Sequence, residues 1–364
     1  MPIGLASRNS FQSLYILNRL TDRILSFHSA RTKLHQLANK EVNLSSAQDI
    51  YLCELILLAK PLPIYDEFRD IRGRLMQQIT GKTKVLGIIG DPVEHSLSPV
   101  MHNAAIANLG LDYIYVPFPV QQGNLSEALT GFGVVNLQGF SITIPHKQEI
   151  IPLLTEISDD AANIGAVNTV WRTANGWKGT NTDAAGFIAP LKAMNRDWTQ
   201  ITPVILGNGG AARAVIAGLT NLGCEEIHVV GRNADKLARF YESWSHAPNI
   251  TSRLKIHNWD NLSSLISAAD LLVNTTPVGM SPRVDASPVP SDLMRKLKEN
   301  AIAYDLIYTP NPTQFLKLAG AQGATTLDGL EMLVQQGVVA LEIWLERAVP
   351  VDVMRNSLKD YLGI

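Results

Sequence analysis

From residue 84 onward, short apolar runs alternate with stretches of helical periodicity, so the chain reads as strand, loop and helix in repeated succession. Residues 85–89 form a short buried strand that enters a polar loop. Ser98 and Pro99 then mark a helix start, with serine as N-cap and proline at the first helical position. Met101, Ala105, Ile106 and Leu109 give that helix its apolar face, and Gly110 ends it. A strand over 113–120 and a helix near 125–129 follow. In 139–145, Ser141 and Thr143 alternate with Phe140, Ile142 and Ile144, which is strand periodicity. Pro145 has no N–H to give to a ladder and is expected to end the strand. Further strands over 166–172 and 177–180 flank Asn175 and Gly176, a hairpin turn signal. A helix over 184–194 leaves this unit.

A second series begins after the polar linker 195–200. Strands are expected at 204–206, 227–230, 271–273 and 302–304, with helical stretches between them. Such alternation implies a parallel sheet with helices on both faces. The last helices, 330–347 and 351–362, lie beyond that unit and are expected to return to the first one. Residues 1–80 differ. Leu14, Leu17, Ile24 and Leu25, then Leu52, Leu55, Ile56 and Leu58, recur at helical spacing without a cluster of catalytic residue types. This extension reads as a regulatory segment, as a packing appendage, or as sequence upstream of a true start at Met76. The expected organisation is a helical extension over 1–80, an α/β domain over 81–189 completed by 330–364, and a Rossmann-like doubly wound domain over 190–329.

Composition narrows the function classes. The chain has 364 residues, 46% hydrophobic and 18% charged, with a net charge of -2, an ordinary globular balance. No global basic field exists to hold nucleic acid or a membrane surface. Cys53 and Cys224 stand far apart and suit reduced thiols in a cytosol. No apolar run reaches the ~18 residues of a spanning helix, so a soluble cytoplasmic protein is expected. Any self-assembly is expected to be a pair of identical chains. The histidines, among them His95, His102 and His146, show no ligand spacing, and no metal site is expected.

Candidate chemistry begins with Lys147, just past a strand end, where open α/β sheets present side chains to a ligand crevice. With Thr143 four residues earlier it suits proton transfer to an oxygen; it also reads as a solvated surface lysine. Gly207 permits a tight turn after strand 204–206. Gly209 lets backbone N–H groups approach a pyrophosphate, and Gly210 and Ala211 let a helix start close to the sheet. Where the next strand ends, an acidic residue would accept a ribose 2′-hydroxyl; Arg232 stands there instead, with Lys236 following. Both suit a 2′-phosphate and favour NADP over NAD, although Lys236 reads equally as a helix-surface charge. Ser96 and Ser98, at a helix start, make a site for a small carboxylate; capping alone would explain Ser98 but not Ser96. Asn168 and Asp183 fall in successive polar patches near strand edges. Asp183 would hold the ammonium of Lys147, or simply cap the following helix.

In this order and spacing the residues resemble the shikimate dehydrogenase family, from about residue 84 to the C-terminus. The motifs are 94–99, 139–147, 165–169, 181–183, 207–213, 274–280, 305–308 and 328–336. The resemblance implies reversible reduction of 3-dehydroshikimate to shikimate with NADPH, in the biosynthesis of chorismate and the aromatic amino acids. It implies that Ser96 and Ser98 hold the substrate carboxylate. Thr143, Asn168, Tyr308 and Gln336 would orient the hydroxyls and carboxylate. Lys147 would be the general acid/base, with Asp183 beside it and also against the substrate. Gly207, Asn208, Gly209, Gly210, Ala211, Arg232, Asn233 and Lys236 would take the NADP phosphates and ribose, Leu306 and Gly329 would lie near the nicotinamide, and Asp159 matches a looser acidic position on the cofactor side. The sequence departs from the family pattern at Ser141, where asparagine is common, and at Asn208, Ala184, Gly231 and Asn233. Quinate/shikimate dehydrogenases, ligand-sensing regulators of the same fold and folate-type dehydrogenases are the competing readings. The serine pair and Tyr308 fit the last poorly, and the presence of both Lys147 and Asp183 argues against a regulator.

Overall fold

The computed structural model describes residues 79–364, and the expectations placed on earlier residues (the helices of the extension, the start at Met76 and the state of Cys53) lie outside them. Two six-stranded sheets organise the rest. The first contains β1 (Lys84–Gly90), β2 (Tyr113–Pro119), β3 (Gly139–Ile142), β4 (Glu156–Ile157), β5 (Thr169–Thr173) and β6 (Gly176–Thr180), in the order β2-β1-β3-β5-β6-β4. The second contains β7 (Pro203–Leu206), β8 (Ile227–Gly231), β9 (Leu254–Asn258), β10 (Leu271–Asn274), β11 (Ile302–Asp305) and β12 (Thr325–Leu327), in the order β12-β11-β10-β7-β8-β9.

The helices that matter to the site are α1 (Ser98–Asn108), α2 (Leu125–Val134), α3 (Asp159–Ile164), α4 (Asp183–Lys192), α5 (Gly210–Asn221), α6 (Ala234–Glu242), α7 (Leu262–Ala268), α8 (Gln314–Gly320), α9 (Leu330–Leu345) and α10 (Val351–Leu362). Successive side chains of a strand point to opposite faces. Leu86 and Ile88 of β1 therefore pack with Met101 and Ile106 of α1, Leu341 and Trp344 of α9, and Met354 and Leu358 of α10. On the other face Ile89, Phe140 and Ile142 pack with Leu125 and Leu129 of α2. The indole N–H of Trp344 donates to the Val170 carbonyl at 2.9 Å and ties α9 to β5.

The second sheet is parallel at every pairing. Both faces are covered, and its central strands β7, β8, β10 and β11 accordingly read as largely apolar runs. Ile205 points into a core with Val215, Ile216 and Tyr304, while Val204 and Leu206 point into another with Leu272, Phe315 and Leu316. The chain runs β7, β8, β9 to one side of β7, then crosses back to β10, β11, β12 on the other. The crevice between β7 and β10 is thus the point where strand order reverses, the usual ligand position of such sheets.

Three local expectations are corrected, and three strands are added. β3 ends at Ile142 rather than at Pro145. The Thr143 carbonyl accepts from the His146 N–H at 3.1 Å, which turns the chain, and Ile144 is left 73% exposed. Ser98 is the first residue of α1, not its cap; the cap position is Leu97, and the Ser96 hydroxyl accepts from the Ser98 N–H at 3.3 Å. In the hairpin, Thr173 pairs with Gly176, so the turn is Ala174 and Asn175, with Gly176 already in β6 at φ +130. Finally, β4, β9 and β12 carry too few apolar residues to stand out from the loops around them.

Candidate active site

The first sheet brings its polar strand ends together by strand direction. β3 and β5 are antiparallel, as are β5 and β6, with Ser141, Thr169 and Thr180 in one row across the three strands. The next row therefore holds the end of β3, the residue before β5 and the residue after β6. These positions are Ile142, followed by Thr143 and the turn to Lys147, then Asn168, then Asn181, followed by Thr182 and Asp183. The Ile142 N–H donates to the Asn168 carbonyl at 2.7 Å, and the Asn168 N–H donates to the Thr180 carbonyl at 3.1 Å. β1 runs parallel to β3 and ends at the same edge, so the loop with Ser96 and Ser98 opens beside Thr143. A Cβ on Gly90 would lie 2.4 Å from the Thr143 methyl, which shows how closely the two turns approach.

At this edge Lys147 Nζ donates to Asp183 Oδ2 at 2.6 Å. The Lys147 side chain is 29% exposed and that of Asp183 15%, so the pair is walled by protein yet open to a ligand. Asp183 Oδ1 accepts from Asn168 Nδ2 at 2.8 Å, and its backbone N–H donates to Asn181 Oδ1 at 3.0 Å. Asn168 is itself fixed, its Oδ1 accepting from the Thr182 N–H at 2.8 Å and from the Thr169 hydroxyl at 2.9 Å. The alternative reading of Asp183 as a cap is answered here. It is the first residue of α4, and its carboxylate is spent on Lys147 and Asn168. One ammonium, one carboxylate and one amide are thus held in register, an arrangement able to give a proton to, or take it from, an oxygen seated beside Nζ.

Around this centre the other candidates are placed by packing rather than by direct bonds to the pair. Ser98 is 5% exposed and faces the buried Tyr115 and Ser141. Burial raises the Tyr115 phenol, whose hydroxyl lies beside Ser98 and Ser141 without a hydrogen bond of normal geometry. Tyr308 follows a strand of the second sheet yet packs against the core of the first; burial raises its phenol too. Gln336 lies where α9 crosses α4, and a Cβ on Gly186 would come within 2.8 Å of Gln336 Cβ. His146 is fully buried, with its Nε2 bonded to the Val120 carbonyl at 2.6 Å, a structural role.

At the crevice of the second sheet, Gly207 has φ +104, a conformation that favours glycine, and a Cβ there would meet Thr275 Oγ1 at 2.9 Å. Gly209 and Gly210 face open space, with no atom within 4 Å of an added Cβ. No side chain caps the first turn of α5, so its backbone N–H groups face the crevice unclaimed. Arg232 and Lys236 are exposed just past the end of β8. These are the features a dinucleotide phosphate needs: close backbone approach, free N–H donors and a cation near the second ribose. Two members of the expected cofactor set are placed otherwise. The Asn233 side chain caps α6, accepting from the Lys236 N–H at 2.8 Å. Asp159 is exposed on the first turn of α3, with no bond to the glycine loop.

Residues 88–170 match the shikimate dehydrogenase substrate binding domain, and residues 329–359 match the shikimate 5'-dehydrogenase C-terminal domain. The shikimate dehydrogenase (NADP(+)) of Gloeothece citriformis is 60% identical over 289 residues, 79% of this chain and 100% of the relative. The chain belongs to the shikimate dehydrogenase family. Its members are oxidoreductases, and the fold agrees with theirs. A solved shikimate dehydrogenase in complex with NADP+ superposes with TM-score 0.72 at 38% identity, covering 78% of this chain and 98% of that one. The Thermus thermophilus enzyme in complex with NADP(H) and shikimate gives TM-score 0.67 at 33% identity, covering 76% and 98%.

Two buried charged groups inside the recognised motifs escaped sequence reasoning. Arg213 is 7% exposed; its guanidinium donates to the Ile164 carbonyl at 2.9 Å and lies over the rings of Trp244 and Phe240. Asp305 is fully buried behind Leu306. Both stand inside motifs recognised only as glycine loop or strand end. Among the described residues, no group of three or more His, Cys, Asp or Glu side chains converges as a metal site would, and no helix is long and apolar enough to cross a membrane.

Proposed function

We propose that this chain catalyses the reversible NADPH-dependent reduction of 3-dehydroshikimate to shikimate, with Lys147 as general acid/base. The observation that carries this reading is the Lys147–Asp183–Asn168 cluster, closed at 2.6 and 2.8 Å on the edge where the strands end. Residues 81–189 with 330–364 act as the substrate domain and 190–329 as the cofactor domain. The coverage of the relatives and the crevice geometry both support NADP as the cofactor.

Ser96 and Ser98 hold the substrate carboxylate at the start of α1, where the helix N-terminus favours an anion. Thr143, Asn168, Tyr308 and Gln336 orient the ring hydroxyls and carboxylate. Gly207, Asn208, Gly209, Gly210 and Ala211 offer backbone donors to the pyrophosphate, and Arg232 and Lys236 pair with the 2′-phosphate. Leu306 and Gly329 border the nicotinamide. Bound NADPH supplies the hydride for the ketone carbon. Lys147 gives its Nζ proton to the ketone oxygen and takes it back in the oxidative direction. Asp183 keeps the ammonium aimed and neutralises its charge, and Asn168 keeps Asp183 from turning away. Acid–base help of this kind is worth about 10²–10⁴ in rate. An NADPH-consuming biosynthetic step suits the cytoplasm, as does the buried free thiol of Cys224.

The test is the rate with each pairing of shikimate or quinate with NADP or NAD. Shikimate with NADP is expected to be much the fastest. Absence of turnover with every pair would sink the enzyme reading, and a faster rate with quinate would move the substrate.

A further inference from the structure

We propose that Asp305 is a positioning residue for both ligand sites. Its buried carboxylate is the anchor that fixes the turn carrying Leu306 and Tyr308 and braces that turn against the glycine-loop side of the crevice. The inference rests on the functional reading above, which places Leu306 at the nicotinamide and Tyr308 at the substrate.

Asp305 ends β11 and is fully buried, yet among the described residues no cation pairs with it. Three neutral donors hold it instead. Oδ1 accepts from Asn274 Nδ2 at 3.0 Å and from the Ile307 N–H at 3.1 Å, and Oδ2 accepts from the Thr313 hydroxyl at 2.7 Å. The bond to Ile307 is local and closes the chain into a turn directly over Leu306. That turn meets the start of α9 without slack. The Gly329 N–H donates to the Ile307 carbonyl at 3.2 Å, and a Cβ on Gly329 would fall 2.0 Å from the Leu306 carbonyl oxygen. A shift of the 305–308 turn therefore moves Leu306, Gly329 and Tyr308 together.

Asn274 carries the brace the other way. It pairs with Asp305 in the sheet, and its Oδ1 accepts from the Thr276 N–H at 2.9 Å and the Thr276 hydroxyl at 2.7 Å. Thr275 and Thr276 are the side chains against which Gly207 packs. One carboxylate oxygen thus joins the turn beside the nicotinamide to the loop beside the pyrophosphate. A buried charge is expensive, and nothing in the acid–base step uses this one. What the geometry uses is Oδ1, which accepts two N–H donors at once.

The role of Oδ1 separates from charge and from mere stability by substitution. Asp305→Asn keeps Oδ1 as an acceptor and can give its amide N–H to Thr313, whose hydroxyl also accepts. Asp305→Ala removes the acceptor. Thr313→Val loosens the same pocket and the cap of α8 but leaves both Oδ1 bonds in place. Dissociation constants for NADP+ and for shikimate are measured by calorimetry on each folded variant, with kcat and KM beside them.

Loss of the two Oδ1 hydrogen bonds, beyond the Thr313 bond that Thr313→Val loses too, should weaken both ligands by about tenfold or more in Asp305→Ala, with both KM values rising. Asp305→Asn and Thr313→Val should stay within about threefold of wild type, even if Thr313→Val melts earlier. Wild-type affinities in Asp305→Ala, or equal losses in Asp305→Ala and Thr313→Val, would overturn the proposal. If Asp305→Ala does not fold, Asn274→Ala replaces it: it cuts the brace to the glycine-loop side but keeps the Ile307 bond, so NADP+ binding should weaken about tenfold and shikimate binding less, and wild-type NADP+ affinity would overturn the proposal. Turnover by the wild-type protein reports on the functional reading separately, so the two can fail independently.

Discussion

Replacing Lys147 by alanine separates the chemistry of this site from its architecture. Its ammonium makes one hydrogen bond, to Asp183 Oδ2 at 2.6 Å, and is 29% exposed. The backbone of Lys147 does the structural work, because its carbonyl accepts from the Val167 N–H at 2.8 Å and the substitution leaves that bond intact. Asp183 keeps Asn168 at 2.8 Å, and its partial exposure lets water reach the freed oxygen. The stability lost should therefore be that of a partly exposed ion pair, about 0–1 kcal/mol. The kinetic loss should be larger. Removing a general acid worth about 10²–10⁴ raises the barrier by about 3–5 kcal/mol. Steady-state NADPH absorbance should show kcat lower by that factor, while calorimetry still detects shikimate binding within about tenfold of wild type. A folded Lys147→Ala protein with near-normal kcat would remove Lys147 from the acid–base role.

Two further outcomes follow from single side chains. Arg232→Ala should raise the KM for NADP+ about tenfold to a hundredfold, the loss of a charge-assisted bond to a 2′-phosphate, and leave the KM for NAD+ nearly unchanged; equal losses for both would show that the arginine does not read the phosphate. His102 is wholly buried, stacked on Tyr115 at 4.3 Å, with neither ring nitrogen bonded, and burial lowers its pKa from 6.5 to about 3. Between those values the unfolded chain takes up a proton that the native one refuses, so stability falls as pH drops through that window. At pH ~5 the cost is about 2 kcal/mol, and His102→Phe should lose correspondingly less stability than wild type between neutral pH and that point in denaturant titrations. Parallel pH dependence in the two proteins would refute the assignment.

The strand–helix grammar was legible because both sheets rest on short apolar runs, and each strand recognised from sequence lies within a few residues of its observed place. The reaction centre was legible as residue types in order: Lys147, Asn168 and Asp183 were each singled out, but spacing alone could not say that they touch. Their contact depends on β5 running against β3 and β6, a property of pairing rather than of any one segment. Ser98 was misread for a related reason. A serine before a proline satisfies the capping rule, yet the cap position falls one residue earlier, at Leu97, and Ser98 already lies in the first turn. Asn233 shows the reverse, a residue assigned to the cofactor whose side chain caps α6. Asp305 was invisible as a functional group because an aspartate at a strand end looks solvated until the pocket around it is known.

The bond from the Trp344 indole to the Val170 carbonyl joins residues 174 apart in the chain. Its consequence is one of assembly order. Lys147 and Asp183 come together within a single small meander of 36 residues, a low-cost loop closure available early in synthesis. The core on the β1 and α1 side of the same sheet is different: α9 and α10 supply half of it, and they emerge only after the whole second sheet has been made. A nascent chain therefore carries its proton-transfer pair on an unfinished floor, with Leu86, Ile88 and Met101 waiting for partners from its last turns of helix. By chain order the second sheet is an insertion into the first unit, and the C-terminal helices complete that unit's core. Damage to the final thirty or so residues would thus be felt at a site whose chemistry lies two hundred residues upstream.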